Sequence, residues 1–492
     1  MRPGRLLIPL AIALALLGGP APAGAAAGLE RCALGQVAPA LRTLVPTAID
    51  RERRAYEARL RPAERAAGGR AFTTALAAYV YGMPAVLLRR TVDRYPRNAL
   101  LGIGELATPA LRSVVAPNHD TLYSVSKLDL TAGPLVVDAP ATGGRYSVLQ
   151  LLDAYSNAFA YVGSGAERDA DRTVLIVPPG WRGTPPAGAR VVRSPTNLVW
   201  LLGRTLIDGA ADAPAATALM ARYALTQLDA WTGGERARMQ VLPQFPRNQN
   251  EIVLPRGTAF FDALGERLAA DPPPARDACA LRAFAAAGIG PGRQPSRSAT
   301  AAQLRAMAAA VPAGERVVRR ALFATRDDSR RRHNRWSYVT GNIGRFGTDY
   351  VRRAVVASAA FAANVPSEAV YPNTDIDADG RPLTGRRRYV VTFPPGGLPP
   401  VRSFWSMTLY GGDLFLVPNP LRRYAVGDRT PGLRREPDGS LRIYLQHDPP
   451  PARLRSNWLP TPKGAFLLYL RLYEPKAAAA RARWTPPTVR AR

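Results

Sequence analysis

The chain is predicted to be a mixed α and β multidomain protein: two antiparallel β-sandwich (jelly-roll-like) modules, with helical segments before and between them. Three observations predict this. Apolar residues make up 47% of the 492 positions and charged residues only 21%, which excludes global disorder, and the length exceeds what one core holds. Short β-type runs punctuated by Gly, Pro and Asp gather in two separate regions. Between those regions the apolar period turns helical.

In chain order, Arg2 and Arg5 precede an apolar run over 6–17 and then a small-residue segment over 18–25. That order is the pattern of a secretory signal peptide, 1–25, and the run is shorter than the roughly 20 residues that span a bilayer. Cleavage is expected near Ala25, with no Cys at the junction to carry a lipid. The mature chain is therefore expected to be periplasmic or secreted, with no transmembrane anchor after signal removal.

Residues 26–110 read as an N-terminal helical segment, with a helix over 66–92 interrupted at Gly82 and Pro84. Residues 111–208 read as the first β-sandwich domain, with runs at 121–130, 135–138, 146–153, 158–162, 173–177 and 197–205. Residues 209–365 form a helical linker region, with helices expected at 215–231, 258–270, 278–287, 301–310 and 350–363. Residues 366–475 form the C-terminal β-sandwich domain, with runs at 388–393, 403–410, 441–446 and 465–473, and 476–492 read as a flexible tail. The blocks of the two β regions repeat in order: a long strand, a strand ending in Pro-Pro, and a strand carrying Arg204 or Arg471. A duplicated module is the expectation.

The net charge of +29 invites a nucleic-acid reading. Lysine occurs only at Lys127, Lys463 and Lys476, so the excess is almost all arginine, dispersed and without interleaved aromatics. That pattern argues against sequence-specific nucleic-acid binding and leaves weak adhesion to anionic surfaces. Cys32 and Cys279 are the two cysteines, and the sequence leaves open whether they pair or stay as buried thiols.

The densest polar cluster is Asn118-His119-Asp120, followed by Tyr123, where Pro117, Asn118 and Asp120 favour a loop feeding a strand. The next long strand ends in Gln150, Asp153, Tyr155 and Asn157. Asp120 or Asp153 can serve as base and Tyr123 or Tyr155 as acid, the pair that hydrolysis or isomerisation at a carbonyl requires. The competing reading is a hydrogen-bond network pinning a loop to a sheet. Arg204 and Arg471 sit on otherwise apolar strands, where a buried guanidinium needs a carboxylate partner or an anion.

His119, His333 and His447 are isolated, with no HxH or HExxH, so no metal is expected. The run 375–380 opens like a calcium loop, but Arg386 stands where the closing Glu belongs, and a hairpin turn is the expectation. GxSxG, P-loop and GxGxxG signatures are missing, so no cofactor is expected.

Tyr81-Gly82-Met83-Pro84, Asn118 to Tyr123, Gly144-Arg145-Tyr146, Gln150 to Asn157 and Gly203-Arg204-Thr205 resemble the exported bacterial family called domain of unknown function 1254. Phe404 to Tyr410, Asp438-Gly439-Ser440, Asn457 to Pro460 and Arg471 to Pro475 resemble its companion, domain of unknown function 1214. The resemblance spans about 66–475. It implies two β-sandwich or jelly-roll-like modules with helices between them. Two functions from different classes stand: an exported enzyme acting on a small organic substrate by acid/base chemistry at the rim of the first β domain, or a noncatalytic envelope module that binds a small molecule.

Overall fold

The computed structural model describes residues 32–112, 116–245 and 252–492. The expected signal peptide lies outside them. Helices of two turns or more are α1 (Leu44–Glu57), α2 (Arg65–Val92), α3 (Ala213–Ala221), α4 (Ala259–Ala270), α5 (Ala278–Ala285), α6 (Ala301–Arg332) and α7 (Tyr350–Ala359). The first β region holds β1 (Leu101–Ile103), β2 (Thr121–Asp129), β3 (Leu135–Ala139), β4 (Ser147–Asp153), β5 (Ala158–Val162), β6 (Arg172–Val177), β7 (Arg190–Arg193), β8 (Leu198–Leu206), β9 (Ala224–Gln227) and β10 (Gln240–Leu242). The second holds β11 (Ala369–Val370), β12 (Asn373–Thr374), β13 (Tyr389–Phe393), β14 (Trp405–Gly411), β15 (Ala425–Gly427), β16 (Leu441–Gln446), β17 (Trp458–Pro460), β18 (Phe466–Tyr473) and β19 (Val489–Ala491).

Each region builds two sheets. In the first they run β10-β1-β2-β8-β4-β5 and β7-β6-β3-β9. In the second they run β11-β18-β14-β15, with β12 also on β18, and β17-β16-β13-β19. For β2 to β9, adding ten to the strand number gives the counterpart in the second region. β8 pairs with β4, β4 with β5, β6 with β3 and β3 with β9, all antiparallel, and β18, β14, β16, β13, β15 and β19 repeat those pairings in the same sense. The parallel pair β6 and β7 is matched by β16 and β17. Register agrees as well. Tyr123 lies opposite Arg204. Extending the register that pairs Val370 with Leu472 and Asn373 with Tyr469 sets Tyr371 opposite Arg471. The topology is that of a duplication.

Alternation decides what each face of the larger sheets meets. On β8, Val199 and Leu201 join the core shared with the smaller sheet, and Trp200 and Leu202 join the helical core. On β18, Leu468, Leu470 and Leu472 point into the module core, which leaves Tyr469, Arg471 and Tyr473 on the opposite face. Tyr146 and Val148 pack with Ala369, Phe404 and Tyr473 in one apolar cluster, so the outer faces of the two larger sheets meet.

Several expectations are corrected. α2 runs unbroken through Gly82 and Pro84, because burial against α6 and α4 outweighs the one hydrogen bond that Pro84 cannot donate. Side chains at Gly82 or Gly314 would collide with Leu264 or Tyr79, so both glycines are needed for these helices to approach. α2 is apolar and long enough to cross a membrane by composition, yet 78% of its most apolar stretch is buried inside the protein. α6 extends to Arg332 through Pro312, drawn on by the buried Val317, Val318 and Ala321. The helix expected over 215–231 divides into α3, β9 and one short turn, because Ala224 and Leu225 are buried as an edge strand on β3. The first β region therefore reaches from Leu101 to Leu242, beyond both ends of the expected 111–208. The tail is no free end: β19 pairs with β13, and Trp336 Nε1 donates to Pro487 O at 2.8 Å.

Cys32 and Cys279 form a disulfide, with Cα atoms 5.8 Å apart and a sequence separation of 247. It ties the start of the described chain to α5.

Candidate functional site

The loop from Ala116 to Asp120 lies between the two β modules, which the rim placement expected from sequence did not anticipate. Asn118 Oδ1 accepts from Asp120 N at 2.6 Å, so the turn satisfies part of its own backbone. Its remaining groups reach the second module. Pro117 O accepts from Tyr410 Oη at 2.7 Å, Asn118 Nδ2 donates to Tyr473 Oη, and Ala116 O accepts from Arg471 Nη2 at 2.8 Å. The Asp120 carboxylate takes Ser406 Oγ at 2.6 Å and Arg429 Nη2 at 3.4 Å. Asp120, Ser406, Arg429 and His119 line an outer cleft of about 410 Å³. His119 Nδ1 donates to Ala107 O at 2.7 Å, and its ring stands edge-on to Tyr424. Burial holds its pKa below the ordinary imidazole value, against the opposing pull of the Ala107 bond and Asp120.

Behind this loop lie Arg204 and Arg471, 7% and 6% exposed. Arg204 Nη1 donates to Gln150 Oε1 at 2.9 Å and Asn364 Oδ1 at 3.2 Å, and its Nη2 to Ala362 O at 3.0 Å. Arg471 Nη2 donates to Ala116 O and to Tyr410 Oη at 2.6 Å, while its Nε is buried without a partner among the described residues. Every acceptor is neutral. Among the described residues neither guanidinium lies within ion-pair distance of a carboxylate; Asp120 is taken by Arg429, and the buried Glu368 accepts from Tyr146 and Ser164.

Tyrosines gather around Arg471. The Arg471 guanidinium lies 5.7 Å from the Tyr371 ring centre, 5.5 Å from Tyr469 and 6.0 Å from Tyr410. Burial pushes the phenols of Tyr146 and Tyr473 well above their ordinary value and that of Tyr410 up to about 12, so at neutral pH all three are uncharged and neutralise neither arginine. Three hydroxyls stand in one condition. Tyr123 Oη accepts from Asn118 N at 3.1 Å, Tyr371 Oη from Asn364 Nδ2 at 2.9 Å, and Tyr473 Oη from Asn118 Nδ2. Each accepts, and none has an acceptor for its own proton among the described residues. The region is rich in donors and short of negative charge. Tyr123, Tyr371 and Tyr469 retain part of their surface.

Two pairs from the polar constellation read in the sequence are separated. β4 runs antiparallel to β8, with Ser147 opposite Thr205 and Asp153 opposite Val199, so Asp153 sits at the far end of the sheet from Asp120. There Asp153 accepts from Tyr155 N and from Asn157 N and Nδ2, and Tyr155 Oη donates to Asp271 O at 2.5 Å. That end is a buried lock between the sheet and the helices, and Asp120 has no access to Tyr155. Asn118, His119, Asp120, Tyr123, Gln150, Arg204 and Arg471 do converge. Sequence reading missed Ser406, Arg429, Tyr371, Tyr473 and Asn364; Tyr371 and Tyr473 were visible as the tyrosines beside the repeated strand, whereas Arg429 lies in a loop with no pattern.

The other acidic and imidazole candidates are accounted for locally. His333 and His447 place Nδ1 on the carbonyls of Ser329 and Thr461. Asp377 Oδ1 accepts from Asp379 N and Arg381 N, and Asp375 pairs with Arg326 and Arg330. Among the described residues no group of three or more His, Cys, Asp or Glu side chains is placed to hold a metal ion.

Fold and site together define a two-module α and β protein with a polar, donor-rich junction. Residues 98–227 match the family model described as Protein of unknown function (DUF1254), and residues 368–477 match that described as Protein of unknown function (DUF1214), so the chain carries both domains in that order. The matches bracket β1 to β9 and β11 to β18. A crystal structure of the VPA0106 protein from Vibrio parahaemolyticus is similar in fold, with TM-score 0.65 and 23% identity over 86% of this chain and 100% of that one. A second crystal structure, of an uncharacterised protein from Burkholderia cenocepacia, aligns over 91% of this chain and 94% of its own at 13% identity and TM-score 0.38. No curated protein matches the sequence.

Proposed function

We propose that this protein is a noncatalytic binding module that holds a small organic anion in a recess between its β modules, with Arg204 and Arg471 as charge partners and Tyr123, Tyr371 and Tyr473 as donors. One observation carries the reading: among the described residues two buried guanidiniums have only neutral partners, beside three phenols, Tyr123, Tyr371 and Tyr473, that lack acceptors. Leaving buried cations uncompensated is costly, and a carboxylate or phosphate entering between them meets donors already in place. Each pair of sheets is read as a β-sandwich-like module that supplies one wall. Export to the periplasm or beyond is part of the reading, supported by the N-terminal pattern and by the disulfide, which persists in an oxidising compartment. The arginine excess adds weak adhesion to anionic surfaces.

A catalytic reading has one observation in its favour, the contact of Ser406 with Asp120 in the outer cleft. Arg429 weighs against it, because it already engages the Asp120 carboxylate.

A thermal-shift screen of the purified protein against organic acids, phosphate, sugars and metal ions tests the proposal. Organic acids should raise the melting temperature of the wild type and fail to raise that of Arg471→Met. A response to sugars or metals alone, or an equal response in the variant, would overturn it.

A further inference from the structure

We infer that the recess is a double site taking one ligand with two anionic groups, a dicarboxylate in chemical class; this rests on the reading of the recess as an organic-anion site. The duplication assigns it. Arg204 and Tyr123 face each other across β8 and β2, and Arg471 and Tyr371 hold the matching positions on β18 and the β11–β12 edge. The matched residues also behave alike. Arg204, from the first module, donates to the carbonyl of Ala362, in the loop leading to β11. Arg471, from the second, donates to the carbonyl of Ala116, in the loop leading to β2. Both alanines are left-handed, with φ of 58° and 48°, a conformation that L side chains adopt rarely and that here turns a carbonyl toward the opposite arginine. Tyr123 accepts from the backbone N of Asn118 and Tyr371 from Nδ2 of Asn364, each in the loop before it, and neither phenol donates to an acceptor among the described residues. Tyr146 and Phe404, two residues before the positions opposite the arginines, meet edge to face at 5.6 Å across the junction.

Two half-sites related in this way present two cations and two phenol donors at the junction of the modules. A ligand with one carboxylate satisfies one half and leaves the other cation unpaired. A ligand with two carboxylates satisfies both, and each half then contributes a charge-assisted hydrogen-bonding group.

Titration calorimetry of the whole protein against a series of α,ω-dicarboxylates and the monocarboxylates of the same chain lengths tests this, with Arg204→Met, Arg471→Met, Tyr123→Phe and Tyr371→Phe alongside. One dicarboxylate should bind per chain, at least about tenfold tighter than its monocarboxylate, and each arginine variant should lose about tenfold or more. The phenylalanine variants keep the rings and are expected to fold; each should weaken the dicarboxylate, and their effects should be of similar size. Two monoanions bound per chain, equal affinity for the two series, or dependence on only one arginine and its tyrosine would overturn the double site while leaving an anion site in place. No binding by any carboxylate or by phosphate would overturn both.

Discussion

Arg204 and Arg471 each reach into the opposite half of the molecule and end on the same kind of acceptor: the carbonyl of a left-handed alanine, Ala362 at 3.0 Å and Ala116 at 2.8 Å. The two modules are thus joined at their most polar point by a reciprocal pair of contacts. Two aromatic side chains just before the matching strands β4 and β14, Tyr146 and Phe404, pack against each other.

This clamp has a cost that can be measured. Removing the guanidinium of Arg471 leaves Ala116 O and Tyr410 Oη without that donor, so Arg471→Met should lower stability by about 1 to 3 kcal/mol in chemical denaturation. Arg471→Lys restores charge without the planar fork and should recover only part of the loss. Full recovery by lysine would mean that charge alone, and no directed hydrogen bonding, holds the modules together.

Asp120 and Arg429 should behave as a coupled pair. Asp120→Asn keeps an acceptor for Ser406 but strips Arg429 of its charge partner, so a loss of about 1 to 3 kcal/mol is expected. In a double-mutant cycle with Arg429→Met the two losses should be less than additive by at least about 0.5 kcal/mol. Simple additivity would show that the contact contributes nothing.

The disulfide closes a loop between positions 247 apart, so opening it frees a large unfolded ensemble. Cys32→Ser with Cys279→Ser should cost about 2 to 5 kcal/mol. Equal stability of the reduced and oxidised protein would argue that helix packing alone secures the N-terminal end.

His119 predicts a pH dependence with a definite sign. Burial depresses its folded-state pKa below the unfolded value of about 6.5, so its contribution is complete above that value and is lost as pH falls toward and through the folded pKa. His119→Gln should flatten the acid side of the stability profile between about pH 6.5 and the onset of carboxylate titration. An unchanged profile would place the acid sensitivity elsewhere.

Much of the fold was legible in the sequence because its signals are local. Alternation on β8 and β18 and the Pro-Pro steps after β6 and β16 marked the repeated modules before any coordinate did. Helix ends were less legible. Pro84 and Pro312 mark breaks by propensity, yet both helices continue, since packing of α2 on α6 decides the matter and propensity is a weak prior. The segment 224–227 reads as helix until β3 offers it an edge. At the site, the cluster from Asn118 to Tyr123 and both arginines were visible as polar groups in apolar surroundings. Their partners were not, because Ser406, Arg429 and Asn364 come from the other module, hundreds of positions away, and no local pattern encodes a contact between modules.

The most direct test of the recess is a calorimetric titration with the organic anion chosen by the thermal-shift screen, run on wild type, Arg204→Met, Arg471→Met and Arg429→Met. If the ligand sits between the two modules, the first two variants lose affinity about tenfold or more and Arg429→Met binds as the wild type does. If Arg429→Met loses the ligand and the other two keep it, the site is the outer cleft beside Asp120, and the buried arginines only hold the modules together.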